Sequence, residues 1–199
     1  MFGLAVMVAF GLYLLLSYIV VRMAAGYARR HGRSTARWGW GAAVVMYLLV
    51  FWDWIPTIVA HRYYCATEAG IWVYKSFDQW RQDNPGVADS LVKNKVAPIE
   101  RHAAFNSHID TYRLNQRIYK LVRHTNISMI LNVYRNEQEI IDSKDNEVIM
   151  RNVDFSTAQI EGGGGWFGWK FWLHRAHCSG GEARYGEFVS IKRRFQGGK

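Results

Sequence analysis

FGLAVMVAFGLYLLLSYIVV, residues 2–21, contains no charged side chain. About 20 residues of α-helix span roughly 30 Å, the thickness of a bilayer's hydrocarbon core. A second apolar run, residues 39–60, is similar in length and holds one charge, Asp53. Nothing basic precedes Phe2, and the run is too long for the apolar part of a secretory signal. The alternative, two buried helices of a soluble fold, would need helices apolar all round, which soluble domains rarely carry. Two transmembrane helices are therefore expected.

Between the two runs lies RMAAGYARRHGRSTARW, residues 22–38. It carries Arg22, Arg29, Arg30, Arg33 and Arg37 and no acidic residue. Basic residues in short loops stay cytoplasmic. Residues 1–60 then read as a helical hairpin with a basic cytoplasmic loop, 22–37, and with both ends outside. Everything after about His61 falls in the periplasm. Trp38 and Trp40 at one end of the second run, and Trp52 and Trp54 towards the other, fit interfacial aromatic belts.

The charge and the cysteines are consistent with this division. The net charge of +9 includes the five loop arginines, and residues 62–199 hold 20 Lys and Arg against 15 Asp and Glu. More than half of the excess is thus explained by topology, which removes the main reason to expect nucleic acid. The arginine loop would sit against anionic lipid. Cys65 and Cys178 both fall in the outer region, 113 positions apart, and an oxidising compartment favours their pairing. Two buried free thiols would be the reading if the domain were cytoplasmic.

Residues 61–199 suffice for a hydrophobic core. Ile71–Tyr74 has strand composition, Ser76 precedes a short helical turn, and Asn84-Pro85-Gly86 marks a turn. One or two short helices are expected between Val87 and Ser107. Strands are expected at Arg117–Val122, Ile127–Arg135 and Glu147–Phe155, with Ser143–Glu147 as a hairpin turn. Trp169–Leu173 and Glu187–Arg193 read as two final strands. Leu173, Phe171 and Trp169 would face the core. The fold class is a transmembrane α-helical hairpin carrying an α+β, mainly antiparallel-β, extracytoplasmic domain.

The pattern Cys65-x-x-Glu68-Ala69-Gly70-x-x-Val73-Tyr74-Lys75 resembles a segment of small uncharacterised bacterial exported or inner-membrane proteins. Asp142–Phe155, Gly162–Gly165, Lys170–Leu173 and Cys178 are similar to their later half. The resemblance spans roughly residues 61–180 with gaps. It implies an exported domain of the bacterial inner membrane with Cys65 paired to Cys178, and it implies no activity. The two-helix anchor departs from the simple export signal of many such proteins.

Chemical signatures are sparse. Asp53, between two tryptophans and ahead of Pro56, is a carboxylate in an apolar run; it fits an anchoring role, a partner contact or an ion path. His174, His177 and Cys178, with Cys65 or His61, offer zinc-ligand chemistry, but His-x-x-His suits a helical turn better than the strand expected there. Asp142, Asp145 and Glu147 fall at the hairpin tip, normally a solvated position. No G-x-S-x-G is present. The glycine run Gly162–Gly165 lacks the Lys-Ser or Lys-Thr of a phosphate loop. No metal, cofactor or catalytic residue is assigned. Trp166 and Phe167, just after the glycines, are candidates for contact with lipid or a neighbouring subunit.

Three functions remain open at this stage. The first is a non-enzymatic accessory or scaffold subunit of an envelope assembly, bound to lipid and to a larger membrane protein or to copies of itself. Gly3, Gly11, Gly41 and Ala43 would allow close helix approach. The second is an inner-membrane defence or exclusion factor, either a pore-forming effector or a block to incoming DNA. The third is a periplasmic enzyme or ligand-binding module with an unspecified small molecule.

Overall fold

A computed structural model describes residues 2–94, 98–157, 171–175 and 177–197. They fall into two compact units, one up to Pro56 together with Phe171, the other from Thr57 onwards. In the first, α1 (Phe2–Arg30) runs for 29 residues, about 43 Å at 1.5 Å per residue. It does not stop where the charges begin. Ala and Arg are good helix formers, and Arg29 and Arg30 lie at the C-terminal end, where unpaired carbonyls favour cations. α2 spans Thr35–Phe51. The loop expected at 22–37 therefore shrinks to residues 31–34. The two helices pack through Phe10 on Phe51, with ring centroids 6.1 Å apart, and Tyr27 on Trp38, at 5.6 Å. The Tyr13 hydroxyl donates to the Met46 carbonyl.

The second apolar run is not one helix, contrary to expectation. α2 ends at Phe51, and α3 (Trp54–Thr67) begins after Trp52 and Asp53. Pro56 supplies the reason. Inside a continuous helix its ring would collide with the carbonyl four residues back, that of Trp52, and its missing N–H would break the ladder. In the first turn of a new helix neither cost arises. α1 is the one described helix long and apolar enough to cross a membrane, and α2 with α3 reaches that measure as one interrupted span. An N-terminal helix of this kind meets the requirement of a membrane anchor or of a signal sequence. α3 also carries the chain through residues 60 and 61, where a boundary was expected.

The second unit is built on six antiparallel strands: β1 (Gly70–Val73), β2 (Pro98–Ala104), β3 (Ser107–Arg113), β4 (Ile118–Ser128), β5 (Val133–Asp142) and β6 (Glu147–Ser156). Their order is β1-β6-β5-β4-β3-β2. β2 to β6 form a meander. β1 precedes them in sequence yet lies outside β6, and α4 (Phe77–Asp83) and α5 (Val87–Ser90) make the crossing. Ser76 caps α4 in a reciprocal capping box with Gln79. The turn at 143–146 closes the β5–β6 hairpin with Asn146 at φ 54. These features match the sequence expectations at Ile71–Tyr74, Ser76 and Ser143–Glu147.

Cross-strand pairing assigns the faces. Ile118, Ile140 and Met150 share one face, covered by α6 (Gly181–Phe195) and α4 through the fully buried Phe188, Phe195 and Trp80. Val133, Val153 and Phe155 share the other face, where Ala60, Tyr64 and Cys65 of α3 pack. The core is thus two clusters on opposite sides of one sheet.

Several expected strands are otherwise. Residues 187–193 belong to α6, whose buried or half-buried apolar residues Phe188, Ile191 and Phe195 recur at the three- and four-residue spacing of a helix. The run 127–135 is divided by a turn between β4 and β5, with Asn132 at φ 49. The region 87–107 holds one short helix and then β2, rather than helices alone. Phe171–Leu173 is a single 3-10 turn; the rest of that expected strand, with Trp169, lies outside the described residues.

Asp142 is also not at a solvated tip. It is buried, accepting from Trp80 Nε1 at 2.8 Å, Arg117 Nε at 2.6 Å and the Lys144 N–H at 3.0 Å. Burial alone would raise its pKa, but the Arg117 guanidinium, the Lys144 N–H and the Trp80 indole together hold it below its ordinary value. Asp145 and Glu147 are exposed, as a turn would have them.

The packing of α6 predicts opposite outcomes for two of its aromatic residues. Phe188→Ala should cost about 3–5 kcal/mol, whereas Tyr185→Ala on the exposed side should stay within about 0.5 kcal/mol. Denaturant unfolding of the detergent-solubilised protein measures both.

Candidate functional site

β1 pairs with β6 only from Met150 to Val153. Beyond Val153 the outer edge of β6 is open to another segment, and the chain leading to Cys178 runs there. The Thr157 N–H donates to the Arg175 carbonyl at 3.0 Å, and the Thr157 hydroxyl to the Leu173 carbonyl. Cys178 is joined to Cys65 by a disulfide with a Cα–Cα distance of 5.5 Å. α3 on one face and the start of α6 on the other are thereby stapled around the edge of β6.

Further ties surround the staple. His61, one turn before Cys65, places Nε2 3.1 Å from the Phe155 carbonyl. Tyr64 stacks on the Phe155 ring at 5.4 Å. Arg135 donates to Glu68 at 3.0 Å. The ligand atoms of His61, Cys65 and Cys178 lie within 4.8 Å of one another, but in the disulfide neither sulfur is a thiolate, the form that binds zinc. His174 is exposed, and His177 turns to a different partner.

That partner is Asp154 on β6. Its Oδ2 lies 2.7 Å from His177 Nδ1, its Oδ1 accepts the Cys178 N–H at 3.1 Å, and Arg184 stands 3.7 Å away. Gly181 must be glycine for this approach. A Cβ there would lie 2.9 Å from His177 Cβ and 3.0 Å from Asp154 Oδ2. A cleft of about 490 Å³ opens over the turn, lined by His177, Cys178, Gly180, Gly181, Glu182 and Ala183. An aspartate on Nδ1 leaves Nε2 of the histidine outward, the arrangement of a general base. Among the described residues no hydroxyl or thiol hydrogen-bonds to His177, so the pair lacks the nucleophile of a triad. Asp154 spends its acceptors on the turn that starts α6.

The same sheet face continues as a polar strip. His124 Nδ1 meets Asn136 Oδ1 at 2.7 Å, and Asn136 donates to the Ser156 hydroxyl at 3.0 Å. Asp110 is buried between Arg101 at 2.9 Å and His108 at 3.1 Å. Lys120 lies over the Tyr112 ring at 4.7 Å. Burial, with the nearby Lys192 ammonium, lowers Lys120 to about 8, and Asp110 only partly opposes this. On the opposite face Glu137 is buried among Arg123, Arg135 and Arg151.

No known family, characterised protein or solved structure matches the chain. The functional argument therefore rests on its own residues.

The residues singled out by sequence are spread along the molecule. Asp53 is buried at the helix break, while Trp52, Trp54, Trp38 and Trp40 are exposed. Arg33 and Arg22 lie over the rings of Trp38 and Tyr18, and Arg29, Arg30 and Arg37 sit in helical turns flanking residues 31–34. Trp166 and Phe167 lie outside the described residues. Sequence reading missed the roles of Asp154 and Glu137, and took His61 only as a candidate zinc ligand, where it meets the Phe155 carbonyl. A signal existed for Asp154: an acid between Val153 and Phe155 in a strand is flanked by core residues and must find partners.

Two measurements probe this region. Replacing both cysteines by serine should cost roughly 4–5 kcal/mol by the loop-entropy argument, read as a lower unfolding midpoint that reductant no longer shifts. For Lys120 the folded pKa lies below the unfolded value of 10.5. Between about 8 and 10.5 the unfolded state therefore holds more protons, and stability rises with pH. Lys120→Met should flatten that rise in denaturation midpoints taken across the interval.

Proposed function

We propose that the protein is a membrane-anchored, non-enzymatic accessory or scaffold subunit of a bacterial envelope assembly. α1, with α2 and the first turn of α3 as an interrupted second span, holds it in the inner membrane, and the α+β domain, entered through the rest of α3, faces the periplasm. The observation that carries this reading is the fastening of α3. The helix by which the chain enters the domain is tied to the sheet by the Cys65–Cys178 disulfide, by Thr57 to the Leu131 carbonyl at 3.3 Å, by His61 to Phe155, and by Glu68 to Arg135. A domain fixed this firmly at its entry point suits holding a partner in place.

Other features support the same reading. A disulfide is at home in an oxidising compartment. The arginines around residues 31–34 favour the cytoplasmic side for that turn. Gly11 and Gly41 have open space where a Cβ would stand, which leaves room for a partner helix to approach closely.

The test is extraction of the full-length protein from native membranes in mild detergent. A complex of fixed stoichiometry with larger membrane proteins is expected to survive size exclusion. A monodisperse, isolated protein would overturn the subunit reading. Depolarisation of cells on overproduction, lost in Asp53→Asn, would favour the effector. A C-terminal phosphatase fusion should be active, and an inactive one would remove the periplasmic placement.

A further inference from the structure

Turns at the two ends of the sheet differ in chemistry. At one end lie the β3–β4 connection, residues 114–117, and the β5–β6 turn, residues 143–147. The first reads LNQR with Leu114 buried, and the second reads SKDNE. The second is the composition of a solvated turn, while the first buries Asn115 as well as Leu114 and turns no large apolar side chain to solvent. At the other end lie the β2–β3 and β4–β5 turns. Phe105 is 93% exposed, Ile130 72% and Met129 47%. Single exposed apolar residues are ordinary, but here three large ones occupy two adjacent turn tips.

The pairing shows that these tips are neighbours. Ser107 pairs with Thr125, and the Asn126 N–H donates to the Asn106 carbonyl at 2.8 Å. Phe105 therefore lies beside the chain that leads into the turn bearing Met129 and Ile130. The chain from the apolar segment arrives at this same end. Thr57, the first residue of the second unit, donates to the carbonyl of Leu131, next to Ile130. Trp54 is three residues before Thr57, and consecutive Cα atoms are about 3.8 Å apart, so the tether between them reaches at most about 11 Å. Charge agrees with placement. Segments 102–109 and 124–136 contain no Asp or Glu, and they carry His102, His108, His124 and Arg135. Nothing there would be repelled by anionic headgroups.

We infer that Phe105, Met129 and Ile130 form a lipid-contacting tip, seated in the periplasmic interface of the bilayer that holds the anchor. The inference rests on the membrane-anchored reading above. Apolar side chains on a surface element partition into the headgroup–acyl boundary without crossing it.

Site-specific photocrosslinking tests this. Full-length protein carries p-benzoylphenylalanine in place of Phe105, Ile130, Lys144 or Leu12, in vesicles of phosphatidylethanolamine and phosphatidylglycerol and in native membranes. Lipid adducts are expected by mass spectrometry for the substitutions at Phe105, Ile130 and Leu12, and none at Lys144. Loss of adducts at Phe105 and Ile130, with those at Leu12 retained, overturns the tip and leaves the anchor standing. Loss at Leu12 as well removes the anchored reading itself. Crosslinks from Phe105 or Ile130 to another polypeptide in place of lipid also overturn the inference. Both residues are exposed, so the substitutions leave the core untouched.

Discussion

The end of β6 is the joint on which the second unit depends. The pairing of β1 with β6 ends at Gly70 and Val153, so β1 does not reach the carbonyl of Phe155. A buried carbonyl without a partner is costly, and the His61 side chain supplies one. The Phe155 ring then receives Tyr64, and the neighbouring Asp154 receives the Cys178 N–H. The disulfide closes the arrangement across 113 positions of sequence. Helices from opposite faces of the sheet are thus brought to one edge, at the stretch of β6 beyond its pairing with β1. Had β1 been three residues longer, its ladder would have occupied the edge that the Cys178 segment uses.

The helix break at Trp52 and Asp53 follows from a local constraint with a wide effect. Pro56 cannot sit inside a continuous helix, so the chain starts afresh at Trp54. The new helix has the domain's contacts rather than lipid along its later turns: Thr57 and His61 are buried, and Cys65 is bonded to Cys178. One proline therefore divides the second apolar run into α2 and an entry helix that from Thr57 onward belongs to the second unit. This also accords with the composition shift within α3, which opens as Trp-Ile-Pro and carries Arg62, Tyr63 and Tyr64 in its later turns.

What was legible in the sequence was what local chemistry decides. The uncharged run at 2–21, the Ser76 cap, the turn at 143–147 and the paired cysteines each carry their own signal, and the structure has a counterpart for each. The failures have a common cause. Residues 187–193, EFVSIKR, contain β-branched residues and a loose alternation, so their local preference points to a strand. Packing of Phe188 and Phe195 into the sheet outweighs it. Residues 127–135 look like one strand because Ile127, Ile130 and Val133 are β-branched, yet Asn132 takes the left-handed conformation that a turn needs. Asp142 with Arg117, Asp154 with the Cys178 N–H, and Glu137 with Arg123 join residues 25, 24 and 14 positions apart, and no short window of sequence encodes them.

The sheet buries several carboxylates: Asp110, Glu137, Asp142 and Asp154. Glu137 has three arginines around it, and Asp142 has Arg117 and the Trp80 indole. Such clusters gain little net stability over apolar packing, because desolvation offsets most of the attraction. Their effect is to forbid alternatives. A one-residue slip of β5 against β6 would turn Glu137 to the face that holds Ile140 and strip it of Arg151 on β6. Register is therefore held by charge at the middle of the sheet and by the disulfide at its edge. A sheet constrained in both ways keeps its turns and edges in fixed relation to the helix that enters it.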